Sequence, residues 1–190
     1  MKEILAAITA TTVLTGCYIP EKFTAEVKFT EKGAYSVDFD GTVVNGMALL
    51  AKLDTKRPMT EAQIQQMEQG TWAPYKDVKF TYKGDARSQI QTTIRREPGQ
   101  AVDVLGMLKI TTDKNGVTTI RSPKVSAKDK QQLAELGVKI NGSFTVELPK
   151  NAEVISHNAD STPKFFGMFG AYKWSVADPE KVPMMQVRFK

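Results

Sequence analysis

The chain has one cysteine and one histidine, Cys17 and His157. That scarcity removes whole classes of chemistry. A zinc site lacks its usual His and Cys ligands. A Ser-His-Asp triad would have to use His157, with Ser156, Ser161 or Ser175 as nucleophile, and no Gly-x-Ser-x-Gly turn is present. The glycine-containing stretches "GMFG" and "NGMA" match neither the Walker phosphate loop nor the dinucleotide fingerprint. No apolar run reaches the roughly 20 residues a membrane-spanning helix needs. No segment interleaves aromatic and basic residues as nucleic-acid binders do. Two carboxylates working on a glycoside remain open, but no spacing singles out a pair. The expectation is a protein without catalysis, cofactor, metal or nucleic-acid partner. His157, in "VISHNAD", reads as a strand-end or turn residue, with Asn158 in a left-handed conformation. A ligand-binding or pH-sensing role is the alternative.

The position of the one cysteine is informative. It follows "ILAAITATTVL", Ile4 to Leu14, a charge-free run of apolar and small residues. Such a run is too short to span a bilayer as a helix and fits the apolar core of a secretory signal peptide. Leu14-Thr15-Gly16-Cys17 resembles the bacterial lipobox. The resemblance implies cleavage before Cys17 and lipidation of its thiol and new amino group, so the chain divides into a signal peptide over 1–16, a lipidated tether over 17–22 and a domain over 23–190. The other reading is a buried structural cysteine. Multiple acyl chains give stable anchoring, each contributing about 0.8 kcal/mol per buried CH2. The mature chain then keeps no free thiol and relies on its core for stability. Tyr18 is not the Asp that favours inner-membrane retention, so the expected location is the cell envelope, at the outer membrane facing the periplasm in a diderm host.

The net charge is +5, and loss of Lys2 and Glu3 with the leader leaves it unchanged. Short basic clusters occur at Arg95-Arg96 and from Arg121 through Lys124, Lys128 and Lys130. They read as solvated surface or as contacts for anionic lipid head groups beneath the anchor.

Most of the chain alternates with period two. "FTAEVKFT" and "AYSVDFDGTVV" predict a hairpin across "EKG", and "GMLKITT" with "VTTIRS" predicts another across Asp113-Lys114-Asn115-Gly116. "DVKFTYKGD" is a strand. "ARSQIQTTIRR" is polar enough to predict an exposed or an edge strand. "VKINGSFTVELP", "AEVISHNA", "GAYKWSV" and "MMQVRFK" complete the strand candidates. Thr60 with Gln63 predicts a capping box, Met59 and Ile64 a hydrophobic staple, and Gly70 the end of that helix. A second helix runs over 126–136, with Ser126 as N-cap and Gly137 just past its end. "NGMALLAKL" fits either a strand extension or a short helix. These elements predict an α+β domain: a curved, mostly antiparallel sheet of eight to ten strands with two short helices. A split near 98–101 is the alternative to a single domain.

The stretch Phe144 to Val176 resembles the LppM-like envelope lipoproteins of mycobacteria and other actinobacteria. The matching residues are Leu148-Pro149, Val154, His157-Asn158 and Trp174. Lys150 and Ala159 stand where the family pattern has Gly. The resemblance implies an anchored α+β domain similar to lipid-binding folds. The expected function is therefore a non-catalytic binding role at the envelope, for a lipid or another envelope component. The alternative is a structural or assembly lipoprotein that docks a partner protein. Trp174 alternates with Tyr172 and Val176 and is expected to be buried. Phe165, Phe166, Met168 and Phe169, in "KFFGMFGAY", are the candidate ligand or membrane contacts, with a loop capping the open end of the sheet as the alternative.

Overall fold

Alternation of apolar and polar residues gives each strand one face to bury. The computed structural model describes residues 18–104, 106–124, 126–164, 170–177 and 181–190, apart from the side chains of 127–129. Cys17, Phe165, Phe166, Met168 and Phe169 lie outside the described residues. The fold is α+β. In chain order the elements are β1 (Tyr18–Phe29), β2 (Tyr35–Asn45), α1 (Gly46–Lys52), α2 (Glu61–Trp72), β3 (Val78–Gly84), β4 (Arg87–Arg96), β5 (Val102–Val104), β6 (Leu108–Thr112), β7 (Val117–Arg121), α3 (Ala127–Glu135), β8 (Asn141–Glu147), β9 (Ala152–His157), β10 (Tyr172–Val176) and β11 (Met184–Phe189).

Two sheets form where one curved sheet was expected. The larger has the order β10-β8-β1-β2-β4-β3 and the smaller β5-β6-β7-β11-β9. Every neighbouring pair is antiparallel except β1 with β8. The inward residues of both sheets form one apolar cluster. Val27, Val37, Ile90, Val146 and Trp174 come from the larger sheet, and Val102, Ile110, Ile120 and Met185 from the smaller. The cluster draws on both sides of the 98–101 turn.

Both predicted hairpins are present, with Gly33 and Gly116 at positive φ in their turns. The capping box is formed as expected: Gln63 N–H donates to Thr60 Oγ1 at 3.3 Å, and Thr60 N–H to Gln63 Oε1 at 2.8 Å. Three expectations need correction. Residues 18–22, expected as tether, are already strand, with Tyr18 opposite Asn45 and Ile19 buried in a second cluster. Pro20 sits at a bulge, where the absence of an N–H does not break the ladder. Strand β4 is interior, paired with β2 and β3, and β3 is the edge. Its polarity serves the outer face, where Gln89 and Gln91 donate to Asp40 at 2.6 and 2.7 Å. Helix α2 runs through Gly70 to Trp72. Glycine costs a helix about 1 kcal/mol, less than burying a large aromatic side chain returns, and Trp72 is buried. Of the two readings of "NGMALLAKL" the helix is the one formed: α1, a third helix beside the two expected, is capped by Asn45, whose Oδ1 accepts from Ala48 N–H at 3.0 Å.

Two glycines fit the sheet around one ring. Phe23 lies opposite Gly41 on β2 and Gly142 on β8. A Cβ at Gly41 would come within 2.5 Å of Phe23 Cβ, and one at Gly142 within 2.3 Å of the Phe23 ring.

The two sheets are stitched together on the β9–β10 side. Asn158 Oδ1 accepts from Trp174 Nε1 and from Met184 N–H, both at 2.8 Å, and its Nδ2 donates to the Val182 carbonyl at 2.7 Å. The expected left-handed Asn158 is corrected: among the described non-glycine residues only Asp85 and Ala86 have positive φ. Asn158 works through its side chain instead. Trp174 is 1% exposed and packs on Phe144 at 5.1 Å between ring centres. Trp174→Ala should therefore cost about 3–5 kcal/mol, read as a lowered midpoint in a denaturant titration.

Candidate functional site

The β9–β10 side is closed, and the opposite side is open. There the larger sheet ends in β4 and β3, and the smaller ends in β5, which is three residues long. So short a strand leaves the inner face of β3 and β4 partly uncovered. Val78, Thr92 and Ile94 point inward yet are only half-buried. The space between these edges is a cleft of about 1440 Å³. Val78, Ile90 and Ile94 line one wall, and Val102 and Val104 line the other.

One end of the cleft is aromatic. Trp72 lies 4.8 Å from Tyr18, 5.8 Å from Tyr75 and 6.0 Å from Phe80 between ring centres, stacked on the last. Its Nε1 is buried without a hydrogen-bond acceptor, an arrangement rare for a buried donor.

The exposed lining is basic. Lys76 and Arg96 border the cleft, and Lys79 and Arg95 sit at its rim on strand positions in phase with the outer face. Among the described residues none of them is in an ion pair. Two carboxylates line it as well, Asp77 and Asp103. Asp103 is occupied by Lys109 at 3.0 Å and by Gly106 N–H at 2.7 Å. The cleft therefore combines an apolar interior with a positive mouth, an arrangement that suits an amphiphile with an anionic head.

Behind the aromatic end lies a buried carboxylate. Glu68, one turn before Trp72, is completely buried. It accepts from Asn45 Nδ2 at 2.6 Å, from Ser88 Oγ at 3.2 Å and from the Tyr18 hydroxyl at 3.2 Å to each oxygen. These donors replace the water that burial removes. Burial, and then the negative charge of Glu68, push the Tyr18 hydroxyl well above its ordinary pKa. The network joins β1, β2, α2 and β4, and Tyr18 carries it to the cleft wall.

Several predicted residues lie elsewhere. His157 is exposed at the end of β9, accepts from Ala159 N–H at 3.1 Å through Nδ1 and meets the Tyr172 ring edge-on at 4.9 Å. It serves as a strand-end residue, as the sequence predicted. Of the residues that carry the family resemblance, Trp174 belongs to the main core cluster, and Leu148 and Val154, half-buried, pack against it. Sequence reasoning noted the Arg95-Arg96 pair but did not bring it together with Trp72 and Tyr75. Only the strand order places them around one opening. Among the described residues no three His, Cys, Asp or Glu side chains gather as metal ligands, and no helix is long and apolar enough to cross a membrane.

No family model and no curated protein matches the chain. Among solved structures it is similar to the folded domain of the Mycobacterium tuberculosis LppM protein, determined by NMR. That match has 15% identity and a TM-score of 0.37, and covers 93% of this chain and 92% of that one. So loose a likeness transfers no residue role.

Glu68→Ala should destabilise the fold by about 2–6 kcal/mol, since it leaves the two buried donors Asn45 and Ser88 without an acceptor, at about 1–3 kcal/mol each. Glu68→Gln keeps one acceptor oxygen and should cost less. Thermal melts of the two variants, compared with near-ultraviolet circular dichroism of the Trp72 cluster, check this.

Proposed function

We propose that the protein is a lipid-anchored envelope protein that binds an anionic amphiphile in the cleft between β3–β4 and β5, without catalysing its conversion. The observation that carries this reading is the pairing of an uncovered apolar inner face with the cations Lys76 and Arg96 at its mouth. Acyl chains would lie along Val78, Ile90 and Ile94. The head group would meet Lys76 at the aromatic end or Arg96 at the other, and at the aromatic end an acceptor oxygen would relieve the unsatisfied indole N–H of Trp72. Anchoring rests on Cys17 in its lipobox-like context, with the envelope as location and the outer membrane in a diderm host. The aromatic run Phe165, Phe166, Met168 and Phe169 is kept as a further candidate contact. A second reading, an assembly lipoprotein that docks a partner, draws support from the unpaired edges of β3 and β5, where an extended segment could add as a strand.

Two measurements test the proposal. The chain purified from its host should release a reproducible lipid on solvent extraction, and should bind a fluorescent long-chain fatty acid. Ile94→Arg places a charge in the apolar wall. The lost contact is worth about 1.5–3 kcal/mol, so binding should weaken roughly 10- to 100-fold while the melting temperature holds. Arg95→Ser with Arg96→Ser should weaken binding of the fatty acid more than of its methyl ester. Equal binding by all variants, with no extractable lipid, would sink the amphiphile reading and favour the partner reading. For the anchor, Cys17→Ser should leave an unprocessed chain that takes up no labelled palmitate, and normal uptake would refute it.

A further inference from the structure

Helix α1 buries one side and leaves the other bare. Ala48 and Leu49 pack into the second apolar cluster with Ile19, Val44 and Ile64. Met47, Leu50 and Leu53 are 58%, 45% and 59% exposed. Their spacing of three residues aligns them in one stripe along the helix. Large exposed apolar side chains gathered in this way mark a contact surface.

Three further observations say what covers it. The first is position. Asn45, the N-cap of α1, is the strand partner of Tyr18. Any group attached at residue 17 therefore starts one peptide step, about 3.8 Å, from the residue beside the helix's N-terminal end. The second is charge. Lys56 and Arg57 follow directly in the loop after α1 and are exposed. The nearby Asp54 turns its carboxylate to the backbone, accepting from the N–H groups of Lys56 and Arg57 at 2.7 and 3.3 Å. Lys52, by contrast, is held by Glu61 and Asp85. The third is distance. Tyr172, where the chain enters β10, lies opposite Val146, which is itself paired with Val27. That is nine residues along β1 from Tyr18, roughly 30 Å at about 3.3 Å per residue. The β10 entry is therefore at the far end of the sheet, and α1 is at the anchor end.

We propose that Met47, Leu50 and Leu53, flanked by Lys56 and Arg57, form a membrane-docking face that seats α1 on an anionic phospholipid surface beside the anchor. This rests on the reading of Cys17 as lipidated. Apolar side chains dipping into the head-group boundary, with cations beside them, are the chemistry of interfacial helices. A seated α1 also orients the cleft. Its aromatic end, with Tyr18 and Trp72, faces the bilayer, and Arg95 and Arg96 lie toward the other end.

The test uses the full, lipidated chain in vesicles of phosphatidylethanolamine and phosphatidylglycerol. Because the Cys17 thiol is acylated, Leu50→Cys supplies a single site for an environment-sensitive fluorophore. Ile155→Cys, on β9 and 45% exposed, supplies the control. The expected result is a blue-shifted emission at position 50 that loses most of its intensity to nitroxide lipids, with little change at 155. Lys56→Glu with Arg57→Glu, or vesicles lacking phosphatidylglycerol, should reduce that quenching. Equal, water-like signals at 50 and 155 would overturn the proposal. So would a blue shift at 50 without nitroxide quenching, because a protein or a second copy would then cover the face. Flotation before labelling reads the anchor separately. A chain that fails to float removes the anchor reading and the docking face with it, whereas a floating chain with a water-exposed position 50 removes the docking face alone.

Discussion

The buried carboxylate of Glu68 is the interaction on which both candidate surfaces depend. A carboxylate taken out of water is expensive unless its oxygens are satisfied. Here the donors come from Tyr18 on β1, Asn45 at the end of β2 and Ser88 on β4. Glu68 sits on α2, so one side chain holds that helix against three strands. The consequences run in two directions. Asn45 also caps α1, so the exposed stripe of that helix is set by the same network. Tyr18 and Trp72 pack at a tilt next to it, so the aromatic end of the cleft is set by it too.

The cleft itself follows from an imbalance between the sheets. Six strands face five, and the last strand of the smaller sheet is only three residues long. On the β9–β10 side Asn158 closes the gap with bonds to Trp174, Met184 and Val182. The segment beyond it continues the closure, with Ser161 and Lys173 exchanging backbone hydrogen bonds at 3.0 and 3.3 Å. No comparable seam joins β3 to β5 among the described residues. A sandwich closed along one side and open along the other keeps its core dry while leaving apolar wall accessible.

The elements legible in the sequence are those specified by local chemistry. The β1–β2 and β6–β7 hairpins have clean alternation and a glycine at positive φ in the turn, so register follows from the turn itself. The capping box at Thr60 and Gln63 is a contact between residues three apart. The illegible features are those in which distant residues outweigh local preference. Gly70 reads as a helix end, but Trp72 gains more from its aromatic neighbours than the glycine costs. The polar strand β4 reads as an exposed or an edge strand, but its Gln side chains have partners on β2, in Asp40. The stretch holding Met47, Leu50 and Leu53 reads as strand extension or short helix, and periodicity over seven residues cannot say which side of so short a helix finds a neighbour.

By itself the sequence determined the secondary-structure period, the fold class, the burial of Trp174 and the poverty of catalytic groups. It also set the apolar run and lone cysteine that point to an anchor. Each of these depends on composition or on residues near one another in the chain. Tertiary structure alone decided that there are two sheets, which edge of each is open, and that Arg95 and Arg96 share an opening with Trp72. It alone placed the bare face of α1 beside Tyr18. Strand order and sheet width are set by pairings such as β1 with β8, more than a hundred residues apart. Those pairings are selected by the total apolar surface they bury, a quantity no short stretch of sequence contains.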